Sequence, residues 1–248
     1  MPEFDRAENM WYTDYRSVND RQSSPMAGRG FMSTSERRAR EKEQRRQDIL
    51  EAARKVFSSR GIAEATVEDV AAAAELGKGT IYLYFSSKEE ILAHLLLEGF
   101  DTLLRSLAEA YAPREELSPV ERLRRLTWAY LQFFKDNPFY FRLMVAFDRG
   151  RLHEKIPPEL GEEIKAKNQE ALQWVARAVN EGIQKGFFRP CDPWLTAAAM
   201  WASIHGVIVL MSIPFRRELL GFSLEQMAEA ASQLLLKGIE NPNAKEGT

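Results

Sequence analysis

An all-α fold is predicted by three features of the sequence. Apolar residues recur at intervals of three and four through nearly every segment beyond about residue 45. The breaks between segments carry helix-start chemistry, as in Ser118-Pro119-Val120-Glu121 and Asp192-Pro193. Each is a capping oxygen followed by a proline whose fixed φ suits the first helical turn. No segment alternates apolar and polar residues in a way that argues a strand.

Taken in order, residues 1–35 carry Pro, Ser, Gly, Asn and scattered aromatics without a helical period, and are expected to form a disordered extension. Glu36 to Arg46 either extends the first helix or forms a basic arm. A full helix is expected from about Arg45 to Arg60, with Ile49, Ala52, Ala53, Val56 and Phe57 on one face and Gly61 as its stop. From Arg29 to Arg60 there are ten basic residues against five acidic ones, while the whole chain carries a net charge of −2. That asymmetry is what a nucleic-acid-facing end looks like.

The stretch Thr66 to Lys88, TVEDVAAAAELGKGTIYLYFSSK, organises the rest. Thr66 can cap a helix with Asp69 reaching back, and Val67, Val70, Ala71 and Ala74 share one short-chained apolar face. Gly77 is available for a turn, and a second short helix is expected from about Lys78 to Phe85. Ile81 and Phe85 pack inward, leaving Lys78, Thr80, Tyr82 and Tyr84 on the other sides. A cation, a hydroxyl and two phenols suit phosphates and base edges, and Gly79 lets the backbone come close to a duplex.

The next helix, Ser87 to about Tyr111, is apolar on more than one side: Ile91, Leu92, Leu95, Leu96, Phe100, Leu103, Leu104 and Leu107. Helices then follow at 118–137, 138–147, 157–186, 193–213 and 223–240, and a polar tail, 241–248, is expected to be flexible. This divides the chain into a helix-turn-helix DNA-binding domain at 36–88 and a helical body at 89–240.

The run ELGKGTIYLYFSSKEEIL, with the preceding RRQDILEAARKVFSSRGIAEATVEDVA, resembles the signature of the TetR family of bacterial transcriptional regulators, over about Arg45 to Leu97. The resemblance implies about nine helices, with a C-terminal domain for ligand binding and dimerisation. It implies phosphate contacts from Thr66, Tyr82, Tyr84 and Lys88. Gly77 and Lys78 would hold the turn, and Lys78, Gly79, Thr80 and Leu83 would face the groove. Leu83 departs from the polar or aromatic residue often found there and offers only apolar contact. The implied partners are a near-palindromic double-stranded DNA operator, a second copy of the chain in a homodimer, and a hydrophobic small-molecule effector. A ligand that shifts the helix Ser87–Tyr111 would change the spacing of the two readers and release the DNA.

In the body, aromatic and sulfur side chains crowd together. Phe100, Leu104, Trp128, Phe134, Phe141, Met144, Trp174, Trp201 and His205 are candidates to wall a ligand cavity, with Arg142, Asp148 and Gln132 as further polar groups. For any single aromatic or sulfur residue here plain core is the favoured reading, and His205 serves equally as a core or interface histidine. The segment Pro193–Ile213 is apolar nearly all round and must be buried on most sides. By resemblance it pairs with the last helix across a dimer interface containing Ala197, Trp201, Ile204, Ile208, Met227, Ala231 and Leu234.

Catalytic chemistry has no foothold in the sequence. His94, His153, His205 and the single Cys191 are too scattered for metal-ligand spacing, and there is no phosphate-cradling glycine loop. No enzyme activity, metal or cofactor is expected. The lone cysteine, the lack of a secretory pattern and the lack of an expected membrane span point to the cytoplasm. The reading is a ligand-responsive repressor, with a DNA-bound interaction protein of the same fold, lacking a small-molecule effector, as the alternative.

Overall fold

The computed structural model describes residues 33–111, 117–149 and 151–243. Among these residues the chain is built from ten α-helices and one short 3-10 helix, with no strand beyond an isolated bridge. The helices are α1 Thr34–Arg60, α2 Val67–Ala73, α3 Lys78–Tyr82, α4 Lys88–Tyr111 and α5 Pro119–Asp136. Then come α6 Pro138–Arg149, the 3-10 helix Arg151–Lys155, α7 Pro158–Gln184, α8 Pro193–Met211, α9 Pro214–Leu220 and α10 Leu224–Ile239.

The chain divides into two units, one ending at Glu43 and one beginning at Gln44. In the first, the expected extension lies outside the described residues as far as 32, but its last residues are ordered. Ser33 N–H donates to Glu36 Oε2 at 2.8 Å and Glu36 N–H donates to Ser33 Oγ at 3.2 Å, a reciprocal cap that starts α1 earlier than the sequence suggested. The segment 36–46 is thus an extension of the first helix, carrying an Arg37–Glu41 pair at 3.0 Å one turn apart.

In the second unit, Ile49, Leu50, Ala53 and Phe57 of α1 are buried with Val67, Val70, Ile81 and Phe85, and the same cluster continues into Ile91, Leu92, Leu95 and Leu96 of α4. So small a reader cannot bury enough surface alone, and sharing a core with α4 supplies the rest. Helix α4 then packs on α5, α6 and α7, and α7 on α8. A second cluster joins Leu131, Phe141, Ile204, Ile208 and Ala228 from α5, α6, α8 and α10.

Local chemistry accounts for the breaks. Ser118 Oγ accepts from Glu121 N–H at 3.2 Å with Pro119 in the first turn of α5, and Asp192 accepts from Trp194 and Leu195 N–H at 2.8 and 3.0 Å to open α8. Helix α9, which the sequence reading passed over, begins at Pro214 directly after α8. Ser223 and Gln226 form a reciprocal capping box on α10.

One close approach is set by a glycine. A Cβ on Gly182 would lie 2.0 Å from Phe188 Cδ2, so only glycine lets the Phe188 ring come this close to α7. Phe188 then bridges to Glu240, and Asn241 N–H donates to Phe187 O at 2.9 Å. The start of the expected flexible tail is therefore pinned, while 244–248 lie outside the described residues.

Helix α8 corrects one expectation. At 19 residues and a mean hydropathy of 1.6 it is long and apolar enough, by length and composition, to cross a membrane. Here it packs against α7 and α10.

Candidate functional site

The candidate nucleic-acid interface is built from the caps outward. Thr66 Oγ1 accepts from Asp69 N–H at 3.2 Å and Thr66 N–H donates to Asp69 Oδ2 at 3.0 Å, which fixes the start of α2. The Thr66 backbone N–H, and after it the Thr66 hydroxyl donating to Oδ2 at 2.9 Å, hold the Asp69 carboxyl below the usual aspartate range. Arg60 also pairs with Asp69 and so ties the end of α1 to that cap.

The turn is made differently from the sequence expectation. Gly77 is extended, at φ −73 and ψ 146, and acts as the N-cap of α3. The left-handed residue is Glu75, at φ 56. Leu76 N–H donates to Ala71 O at 2.9 Å and Glu75 N–H to Ala72 O at 3.2 Å, the paired bonds of a Schellman stop. A glycine is the usual signal for that motif, so Glu75 gave no local warning.

Helix α3 buries Ile81 and, just beyond it, Phe85, both almost completely. That anchoring leaves Lys78, Gly79, Tyr82 and Leu83 exposed and Thr80 and Tyr84 half-buried. Leu83 is 76% exposed and Tyr82 46%. Lys78 pairs with Glu68, which raises the lysine pKa and lowers that of the glutamate. Its ammonium also lies 5.8 Å from the Tyr82 ring centroid. Thr66 is exposed as well.

Lys88 has partners within its own chain. Its Nζ donates to Ala63 O at 3.1 Å and lies 5.9 Å from the Phe57 ring centroid, so in this structure it clips α4 to the connection between α1 and α2. Arg46 similarly lies over the Phe85 ring, 5.2 Å from its centroid, and meets the His94 ring nitrogens at 2.8 and 2.9 Å. Neither clamp was legible locally, because each joins residues far apart in sequence.

The body holds a cavity of about 490 Å³ between α4, α5, α6, α7 and α8. Of the sequence candidates, Phe100, Met144, Trp201 and His205 line it. Leu104, Trp128, Phe134, Phe141 and Trp174 do not. Phe134 stacks edge-on to Phe141 at 4.7 Å in the second cluster, and Trp174 packs on Tyr111 at 4.9 Å. Trp128 is 40% exposed on the outer side of α5. Arg142 is exposed and off the cavity, Gln132 donates to Asp136 at 2.8 Å, and the Asp148 side chain lies outside the described residues. Aliphatic side chains outside that aromatic set, Leu103, Leu107, Leu123 and Leu126, form much of the wall, and Tyr130 meets His205 Nδ1 at 2.7 Å.

The interface candidates also separate. Ala197, Ile204 and Ile208 are at most 5% exposed and face their own chain, so they are removed from the expected dimer surface. Trp201 turns toward the cavity. Met227 and Ala231 are half-buried, and Leu234 is 74% exposed. The outward side of α8 instead carries Leu195, Ala199, Ala202, Gly206 and Leu210.

A model of bacterial regulatory proteins of the tetR family matches residues 49–95, and one of the tetracyclin repressor-like C-terminal domain matches residues 116–209. The chain is 30% identical over 204 residues to the HTH-type transcriptional repressor DhaR of a Mycobacterium species, spanning 79% of this chain and 94% of that protein. It is 31% identical over 158 residues to the uncharacterized HTH-type transcriptional regulator YhgD of Bacillus subtilis, spanning 63% and 78%. The crystal structure of PfmR, a TetR family transcriptional regulator from Thermus thermophilus, superposes with a TM-score of 0.60 at 27% identity, covering 77% of this chain and 98% of that one. Fold and reader together define a helix-turn-helix, DNA-binding regulator of transcription. The chain belongs to the TetR family of bacterial transcriptional regulators.

Proposed function

We propose that this regulator is a homodimeric repressor, held on a near-palindromic operator by two copies of α3 and released by a small hydrophobic molecule bound in the body. The observation that carries the reading is shared ownership of α4. Leu96, Phe100, Leu103 and Leu107 of this helix wall the cavity, while Ile91, Leu92 and Leu95 near its start lie in the reader's own core. A ligand that displaces α4 therefore displaces the reader. A second link runs from the cavity rim: the 3-10 helix carrying His153 is joined to the first turn of α4 by Lys155 and Glu89 at 3.6 Å. The ligand acts to the extent that it binds one arrangement more tightly than the other.

Dimerisation supports this reading on independent grounds, since one short reader covers only a half-site and two-fold symmetry supplies the second. The outward apolar residues of α8, with Leu234 of α10, are the surface we assign to it. A buried interface of that composition would explain why α8 is apolar nearly all round. Repression is the role named for DhaR, and we carry it to this chain as part of the proposal.

The test is to incubate the purified protein with sheared DNA of its source genome at moderate salt and sequence the retained fragments. Enrichment of a near-palindrome, lost for a Leu234→Glu variant that sediments as a monomer, is the expected result. Retention without sequence preference, by a protein that is dimeric and ligand-free, would point instead to a DNA-bound interaction protein.

A further inference from the structure

We infer that the cavity takes an amphipathic anion: an apolar chain or ring body ending in a carboxylate or similar anionic group. This rests on reading the cavity as a ligand site, and it adds the ligand's charge and orientation. Among the described residues lining the cavity there is no carboxylate. The ionisable side chains there, besides Tyr130, are Lys165, His153 and His205. A lipophilic cation placed inside would lose its hydration and meet no counter-charge among the described lining residues. An anion meets a lysine.

Polarity also changes along the α7 wall, while Thr127 of α5 and the Tyr130–His205 pair place polar groups on other walls. On α7 the lining residues Lys165, Asn168 and Gln169 fall within about one turn, and the next lining residues, Ala171, Leu172 and Val175, are apolar. Lys165, Gln169 and His153 are exposed, so the polar group marks the solvent end. Leu103, Leu126 and Met200, almost fully buried, mark the deep end. Among the described residues Lys165 pairs with Glu162 at 3.3 Å, an exposed pair within one helix turn. Such a pair contributes little and gives way readily to an incoming carboxylate. Asn168 and Gln169 add amide N–H donors that suit an anion's oxygens.

The orientation that follows is head at Lys165, His153 and the two amides, tail against Leu103 and Met200. The His153 side of that head group is the segment that Lys155 ties to Glu89 on α4. An anion at the rim thus touches the element linked to the reader, while its tail touches α4 itself.

The experiment is calorimetric titration of the full chain with decanoate, decanol and decyltrimethylammonium, repeated with Lys165→Gln and with Leu103→Trp. Decanoate should bind best and decyltrimethylammonium worst. Lys165→Gln should weaken decanoate about tenfold, the scale of one charge-assisted hydrogen bond, and leave decanol unchanged. Leu103→Trp, which fills the deep end, should weaken both. Equal binding of decanoate and decyltrimethylammonium, or a Lys165→Gln variant that binds decanoate like the parent, overturns the charge assignment but leaves the ligand site standing if decanol still responds to Leu103→Trp. Binding of none of the three probes overturns the ligand site as well. Thermal melts of both variants establish that each is folded.

Discussion

The Tyr140 hydroxyl of α6 donates to Glu98 Oε2 of α4 at 3.1 Å, and the same carboxylate oxygen lies 3.7 Å from Arg54 Nε of α1. Gly99 makes the approach possible, because a Cβ there would stand 3.0 Å from Tyr140 Cβ and Cγ. Burial, followed by the Glu98 charge, raises the tyrosine pKa, so the phenol remains a donor throughout the neutral range. Body and reader are therefore joined through one carboxylate.

Removing that donor tests the coupling. Tyr140→Phe should cost about 0.5–1.5 kcal/mol of stability, the net worth of one hydrogen bond. It should leave operator affinity near the parent's while reducing the ligand-induced change in that affinity. Fluorescence anisotropy of labelled operator with and without ligand reads both quantities. An unchanged ligand effect would show that the contact is structural only.

The reader's surface separates positioning from sequence choice. Lys78→Ala should weaken binding to specific and random DNA alike and lower the salt slope by about one charge. Thr80→Ala should change the ranking of operator variants by about 1–3 kcal/mol at the affected base pair. Affinities across a salt series and an operator library distinguish these outcomes. Identical profiles for both variants would contradict the assignment.

Glu75 offers a gain in stability. A left-handed conformation costs a residue with a side chain about 1–2 kcal/mol, whereas glycine adopts it freely but loses about 0.5–1 kcal/mol of backbone entropy on folding. Glu75→Gly should therefore stabilise the protein by about 0.5–1 kcal/mol, the difference of those terms. Glu75→Val should destabilise it, since a β-branched residue tolerates that conformation worst. Urea denaturation midpoints give the sign.

The far end of the body predicts alkaline behaviour. Tyr111 donates to Glu181, and burial together with that partner pushes its pKa from 10.0 up to about 12. A group with a raised folded pKa gives stability that is complete below its unfolded pKa and is lost as pH rises through its folded pKa. Tyr111→Phe should thus be less stable than the parent at neutral pH, and the gap should close between pH 10.0 and about 12. Melting curves over that range, with tyrosinate absorbance to follow ionisation, provide the check. A gap independent of pH would assign the cost to packing.

Much of the fold was legible because its signals are local. Ser118-Pro119, Asp192-Pro193 and Ser223 with Gln226 satisfy backbone groups within a few residues, so they work wherever the segment lies. The same holds for Thr66 with Asp69, and for Ile81 and Phe85, whose spacing sets which side of α3 stays free. Helix α9 falls outside those signals because none of its seven residues is buried, so it carries no core-facing stripe.

The sequence by itself determined that this protein is helical, where α2, α5, α8 and α10 begin, and that Ile81 is the side chain α3 buries. Only the tertiary structure decided how the helices are rotated about their axes. Helix α8 is apolar on nearly every side, so its periodicity could not say that Ala197, Ile204 and Ile208 turn inward while Leu195 and Leu210 turn out. Phe134, Phe141 and Trp174 look as suitable for a cavity wall as Phe100, and packing among α5, α6 and α7 places them elsewhere. Lys88, Tyr140 and Glu98 acquire their roles from partners tens of residues away. Capping and periodicity are properties of a segment, whereas a cavity is what remains once several segments have packed, and no one of them encodes it.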